Sequence, residues 1–143
     1  MLSNEWRTEA FKRFPEFHDY FEETDNPYSL WEELGNAFEQ GYEEPRNEGL
    51  IKRIYEYGDW CCSQPRGETA EDDLATCVAV CFFEHIPEIP EALEDMPRWF
   101  TRADVLAMKT LLSYQVGEEG YAKVLARFDR YHKEEKKNQK KSK

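Results

Sequence analysis

Material for a β-sheet is what this sequence lacks first. Valine and isoleucine are scarce, and no run alternates apolar and polar residues with β-branched enrichment, so strands are not expected. Bases are also few. The chain holds 19 Lys and Arg against 30 Asp and Glu, a net charge of −11, which argues against DNA or RNA as the main ligand. Seven Gly and seven Pro in 143 residues are too few for a collagenous or low-complexity chain. No stretch approaches the roughly 18 apolar residues of a membrane helix. The start, Met1-Leu2-Ser3-Asn4-Glu5-Trp6-Arg7, has no basic segment leading into an apolar run, so no signal peptide is expected. The expected address is cytoplasmic, with no membrane partner. In a reducing cytosol Cys61, Cys62, Cys77 and Cys81 read most simply as buried thiols.

Aromatic residues and helical spacing are what the sequence has in quantity. Nine Phe, eight Tyr and four Trp make up 15% of the chain, far from a disordered acidic composition. Trp6, Ala10, Phe14, Phe17 and Phe21 recur at three and four, interrupted by Pro15. This predicts a helix over about residues 4–14 and a second, short one over 16–23. Asn26-Pro27 reads as a turn, followed by a Ser29–Glu32 capping box and a helix with Leu30, Trp31, Leu34, Phe38 and Tyr42 on one face. Another helix opens near Asn47 and carries Leu50, Ile51, Ile54 and Tyr55. A Thr69–Asp72 cap introduces a helix with Leu74, Cys77, Val78, Cys81 and Phe82 inward. Its other sides are apolar too, which suits a central position.

Pro87, Pro90 and Pro97 break the next stretch into short turns. Thr101 with Asp104 caps a helix that Gly117 stops. Tyr121, Val124, Leu125, Phe128 and Tyr131 form the cleanest stripe in the chain. The sum is an all-α, single-domain bundle of six or seven helices built from antiparallel helical hairpins, over residues 1–132. Residues 133–143 contain six Lys and no apolar residue, so that tail is expected to be disordered. It lacks the aromatics or apolar anchor that nucleic-acid or membrane binding would add.

Signatures of catalysis are missing. There is no glycine-rich phosphate loop, no HExxH and no GxSxG. His85 with Glu84 and Glu88, and His18 with Glu22, have spacings that could supply half a metal site. Neither follows a glutamate by three as a di-metal bundle needs. The expected reading is a non-enzyme with no catalytic residue, no metal and no cofactor. Cys61 and Cys62 are adjacent and diverge by about 100° on a helix, which disfavours joint ligation. Asp72-Asp73 complements a helix N-terminus. Arg66 and Arg98 are bases on loops that serve either an anion or structural ion pairs.

Charge is segregated. Residues 16–48 hold eleven acids and one base, Arg46. Glu32, Glu39 and Glu43 share one helical face, with Glu33, Glu44 and Tyr42 close by. A solvated surface that keeps the protein soluble and a docking face for a basic protein both account for it. Tyrosines among carboxylates favour docking, since that mixture is common in binding hot spots. The aromatic-rich helices would equally serve a homodimer interface.

Two resemblances bear on these choices. The stretches Leu34-Gly35-Asn36-Ala37-Phe38-Glu39-Gln40-Gly41-Tyr42, Ile51-Lys52-Arg53-Ile54-Tyr55-Glu56-Tyr57 and Phe82-Phe83-Glu84-His85-Ile86-Pro87 resemble an uncharacterised bacterial all-helical domain family, over roughly residues 30–125. In size, acidity and lack of catalytic motifs the chain also resembles acidic immunity proteins, which neutralise a sister toxin. The second resemblance implies a basic protein partner, a toxin or effector domain, covered by the acidic helical face. Glu32, Glu33, Glu39, Tyr42, Glu43 and Glu44 would make that contact.

Overall fold

Helical spacing closes the first half of the chain around one aromatic stack. The structure, a computed structural model, describes residues 5–24, 26–69 and 73–141, with residues 138–141 described by backbone alone. The described residues form helices, turns and links with no strand, so the chain is all-α. It divides into two compact units, Met1–Phe83 and Glu84–Lys143. That boundary lies inside the stretch 1–132 that the sequence suggests as one domain.

The first unit contains α1 (Glu5–Arg13), a 3-10 turn (Pro15–Phe17), α2 (His18–Glu22), α3 (Pro27–Gly41), α4 (Glu48–Cys62) and α5 (Leu74–Cys81). Pro15 cannot continue the hydrogen-bond ladder, and α1 stops before it. The start of α3 differs from the sequence expectation. The Asn26 side chain accepts from the Ser29 amide at 3.0 Å, and Pro27 occupies the first turn. The cap therefore stands three residues before the expected Ser29. Proline fits there because its missing N–H would have no partner anyway. Asn47 caps α4 as expected, accepting from the Leu50 amide at 3.2 Å. Of the Thr69–Asp72 cap, Asp72 lies outside the described residues.

Trp31 is fully buried at the centre of this unit. It stacks on Tyr57 at 5.4 Å and on Phe82 at 5.1 Å between ring centroids. Phe38 meets Phe82 edge-on at 4.8 Å, and Phe14 meets Tyr57 edge-on at 5.9 Å. These are the favoured offset and T-shaped geometries. The Tyr57 hydroxyl donates to the Trp6 carbonyl at 2.7 Å, fastening α1 to α4. α5 packs on both α3 and α4, consistent with its apolar composition, although Val80 is exposed.

The second unit contains α6 (Pro90–Asp95), a 3-10 turn (Met96–Arg98), α7 (Arg102–Ala107) and α8 (Lys109–Lys141). The Thr101–Asp104 capping box forms in both directions. Gly117 has φ 75 and ψ 176 and breaks α8, a conformation that side chains with a Cβ resist. The stop expected at Gly117 is thus a sharp break, with helix again from 118. Tyr121, Val124 and Phe128 are buried, and the Tyr121 hydroxyl donates to the Val105 carbonyl at 3.2 Å. Helix continues to Lys141, where the sequence suggests a disordered tail. Lys and Glu are good helix formers, and a helix already nucleated by packing extends at little cost per residue.

Candidate functional site

The surface of α2 and α3 is held in place from below. Arg53, on α4, reaches up to the α1–α2 link. It donates to both Glu16 oxygens at 2.7 Å and to the Arg13 carbonyl at 2.9 Å. Its guanidinium lies 5.5 Å from the Phe14 ring centre. The hydrogen-bonded guanidinium holds the Glu16 carboxyl below its usual range, and Glu16 in turn raises the Arg53 pKa. At the other end of α2, Arg7 donates to the Thr24 carbonyl. α2 is only five residues long, so these ties, with Phe21 buried beneath it, set where its side chains point.

Between α2 and α3 lies a shallow groove of about 430 Å³. Phe17, Tyr20 and Phe21 form one wall, and Glu33, Glu39 and Glu43 are on the other. Asn36, Ala37 and Gln40 run between them at helical spacing. Tyr20 is 61% exposed. Glu32, Glu33, Glu39, Glu43 and Glu44 are all exposed, and none has an ion-pair partner among the described residues. Glu33, Glu39 and Glu43 line the groove, whereas Glu32 and Glu44 do not. A surface of this kind offers carboxylates to a cation and an aromatic face to the stem of its side chain.

Tyr42 is a correction. The sequence places it with the acids as a contact residue, but it is 4% exposed. It packs against Phe38 at 5.2 Å, with Arg46 stacked on its ring at 4.8 Å. Its spacing from Phe38 is that of the buried face, and burial outweighs its acidic neighbours in sequence. The exposed aromatic beside these acids is Tyr20 instead. Its place among the acids was visible in the sequence, but its direction was not, because the Phe17–Phe21 spacing marks only the buried side of so short a helix.

The other chemistry-bearing residues take structural positions or stay apart. His85 pairs with Glu88 at 2.9 Å, and Gln115 donates to the same carboxylate at 2.6 Å. Burial opposes ionisation of Glu88, but these two hydrogen bonds win and hold its pKa low. Arg66 pairs with the buried Asp73 at 2.6 Å, and Arg98 pairs with Asp95 at 3.0 Å, so both loop bases serve ion pairs. The hydrogen bond from Thr76, with Arg66 beside it, keeps the Asp73 carboxyl low despite burial. His18, Asp19 and Glu22 do gather, with one donor atom from each within 4.8 Å of the others, all three exposed.

All four cysteines are free thiols. Cys61 and Cys77 are buried, Cys81 is half-buried and Cys62 is exposed. Burial pushes the Cys61 thiol up to about 12. The Cys77 thiol is raised by the adjoining Cys81 and by burial. Thiols in that state are poor nucleophiles at neutral pH.

In the second unit a further groove, of about 770 Å³, lies between the α7 N-terminus and the end of α8. The sequence offered no signal for it. No helix among the described residues is long and apolar enough to cross a membrane. Comparison of the chain with family models, with curated proteins and with solved structures finds no match.

Proposed function

We propose that this chain is a non-enzymatic binding protein of the immunity type, which neutralises a cognate toxin or effector by covering a basic surface on it. The observation that carries this reading is the α2–α3 groove, where the exposed carboxylates of Glu33, Glu39 and Glu43 face the exposed Tyr20. The mechanism is occlusion. Unpaired carboxylates steer a basic cleft into place and speed association, and the aromatic wall slows dissociation. Glu32 and Glu44 extend the negative potential beyond the groove.

The test compares wild type with Glu39→Lys/Glu43→Lys. Each chain is immobilised and exposed to lysate of the native cell at low and high salt, and association kinetics are then measured with the purified captured protein. The expected result is one basic protein, held by wild type, released by salt, and associating on the order of tenfold more slowly with the variant. Equal association rates at low salt would place the docking face elsewhere.

A helical adaptor is the second reading. The separate groove in the second unit favours it, because an occluding inhibitor needs only one face. An immunity gene is expected beside a toxin gene, whereas an adaptor has no such neighbour. A metal-dependent enzyme would rest on His18, Asp19 and Glu22. Elemental analysis of untagged protein showing less than about 0.1 metal per chain removes it.

A further inference from the structure

The groove of the second unit has its own chemistry. Phe100, Phe128 and Tyr131 give it apolar surface, and Arg102, Lys133 and Lys136 stand around them together with Asp129 and Glu135; the Tyr131 hydroxyl donates to Glu135 at 3.0 Å. Arg102 is already paired with Asp129 at 3.1 Å. Lys133 and Lys136 are exposed and have no ion-pair partner among the described residues. Charge along the chain is opposite at its two ends. Residues 1–83 hold 19 acids and 7 bases, a net −12, while residues 120–143 hold 9 bases and 3 acids, a net +6.

The first unit presents the complement of this groove. On α2, Tyr20 is 61% exposed; the Asp19 and Glu22 side chains are 101% and 59% exposed, with the half-exposed His18 ring 3.7 and 3.6 Å from their carboxylates. We infer that α2 of one copy docks in the second-unit groove of another copy, with Tyr20 on the aromatic surface and Asp19 and Glu22 against Lys133 and Lys136. An aromatic anchor flanked by pairs of opposite charge makes a protein contact both specific and salt-sensitive. The contact is heterologous, groove against a different face, so every chain carries both halves of it. It does not rest on the toxin-binding reading; it uses neither Glu39 nor Glu43, but it shares Tyr20 with the α2–α3 groove.

Sedimentation velocity and light scattering of the purified full chain, over a range of concentration and salt, test this directly. The expected mass rises above 17.1 kDa with concentration at low salt and returns to it at high salt. Asp19→Lys/Glu22→Lys and Lys133→Glu/Lys136→Glu should each weaken self-association by at least about tenfold, because each variant then sets like charges against one another. Mixing the two variants should restore it. Their two reversed surfaces match each other, and so do their two untouched surfaces. Tyr20→Ala, which changes no charge, should weaken association as well. All five positions are exposed, and unchanged helical circular dichroism checks that the variants fold.

A wild-type chain that stays at monomer mass up to millimolar concentration at low salt would overturn the inference. So would variants that associate as tightly as wild type, or a mixture that stays monomeric. The Glu39 and Glu43 test is kept distinct by requiring a second protein and by running it at a chain concentration where the wild type is monomeric.

Discussion

Replacing Arg53 by glutamine should loosen α2 and uncover the edge of the aromatic cluster at Phe14. The guanidinium makes a two-point contact with Glu16, donates to the Arg13 carbonyl and covers Phe14. The Arg53 and Glu16 side chains are 35% and 45% exposed, so water and salt screen their ion pair to about 0.5–1 kcal/mol. Removing the donor to a part-buried carbonyl costs about 1 kcal/mol, and the contact over Phe14 contributes about 0.5 kcal/mol. The expected loss for Arg53→Gln is therefore about 2 kcal/mol. Urea denaturation of wild type, Arg53→Gln, Glu16→Gln and the double variant measures both that loss and the coupling between the two side chains. Trp6, Trp31 and Trp60 all belong to the first unit, so tryptophan fluorescence reports mainly on its unfolding.

Acid adds a second arm to the experiment. The folded Glu16 carboxyl lies below its ordinary value of 4.5 because Arg53 hydrogen-bonds its charged form. A lowered carboxyl contributes stability that is present above the unfolded value and lost as pH falls through the folded one. The gap between wild type and Arg53→Gln should thus be full at pH 7 and shrink below about pH 4.5, leaving the carbonyl and ring contributions. A loss under about 0.5 kcal/mol, or a gap unchanged between pH 7 and pH 3, would refute the placement of Arg53 as the tie beneath α2.

Two further outcomes follow from burial. Tyr42→Ala should destabilise by about 2–4 kcal/mol, as a buried ring does, and Tyr42→Phe by less than about 1.5 kcal/mol; a Tyr42→Ala chain as stable as wild type would return Tyr42 to the surface. With a thiol-reactive dye at pH 8, Cys62 should react first and Cys81 more slowly, while Cys61 and Cys77 should react only on unfolding. Rapid labelling of Cys61 or Cys77 in the folded chain would contradict the raised thiols.

The sequence was legible where helices are long. Leu30, Trp31, Leu34 and Phe38 repeat often enough to define an inward face, and all four are buried. Thr101 and Asp104 form the cap that their spacing implies, because both partners belong to one turn. Ser29 misled because two capping patterns overlapped, and Asn26-Pro27, three residues earlier, fits the first turn better. Tyr42 misled for a related reason, since an amphipathic ring beside acids has the same neighbours in sequence whether it faces in or out. Within the candidate site Glu39 was readable, but the single helical face expected for Glu32, Glu39 and Glu43 does not form, because α3 ends at Gly41 before Glu43 and Glu32 lies outside the groove; the exposure of Tyr20 was not readable. Phe17 and Tyr20 sit on short elements aimed by Arg53 and Arg7, whose partners are as many as 40 residues away. The second-unit groove depends on Phe100 and the end of α8 coming together across a break at Gly117, which no local pattern encodes.

What separates a docking face from a solubilising one is where the carboxylates stand rather than how many there are. Solubility asks only for net charge, and that is served as well by acids mixed with bases. Here five acids from Glu32 to Glu44 are exposed without an ion-pair partner among the described residues, so no ion pair within the fold accounts for their clustering. Glu39→Lys/Glu43→Lys breaks no ion pair among the described residues and should leave the melting temperature unchanged. If association with a basic partner slows while stability holds, the carboxylates act on the encounter and not on the fold. A stability loss above about 0.5 kcal/mol would mean that they support α3 itself, and the slower association would then report a damaged surface rather than a lost contact.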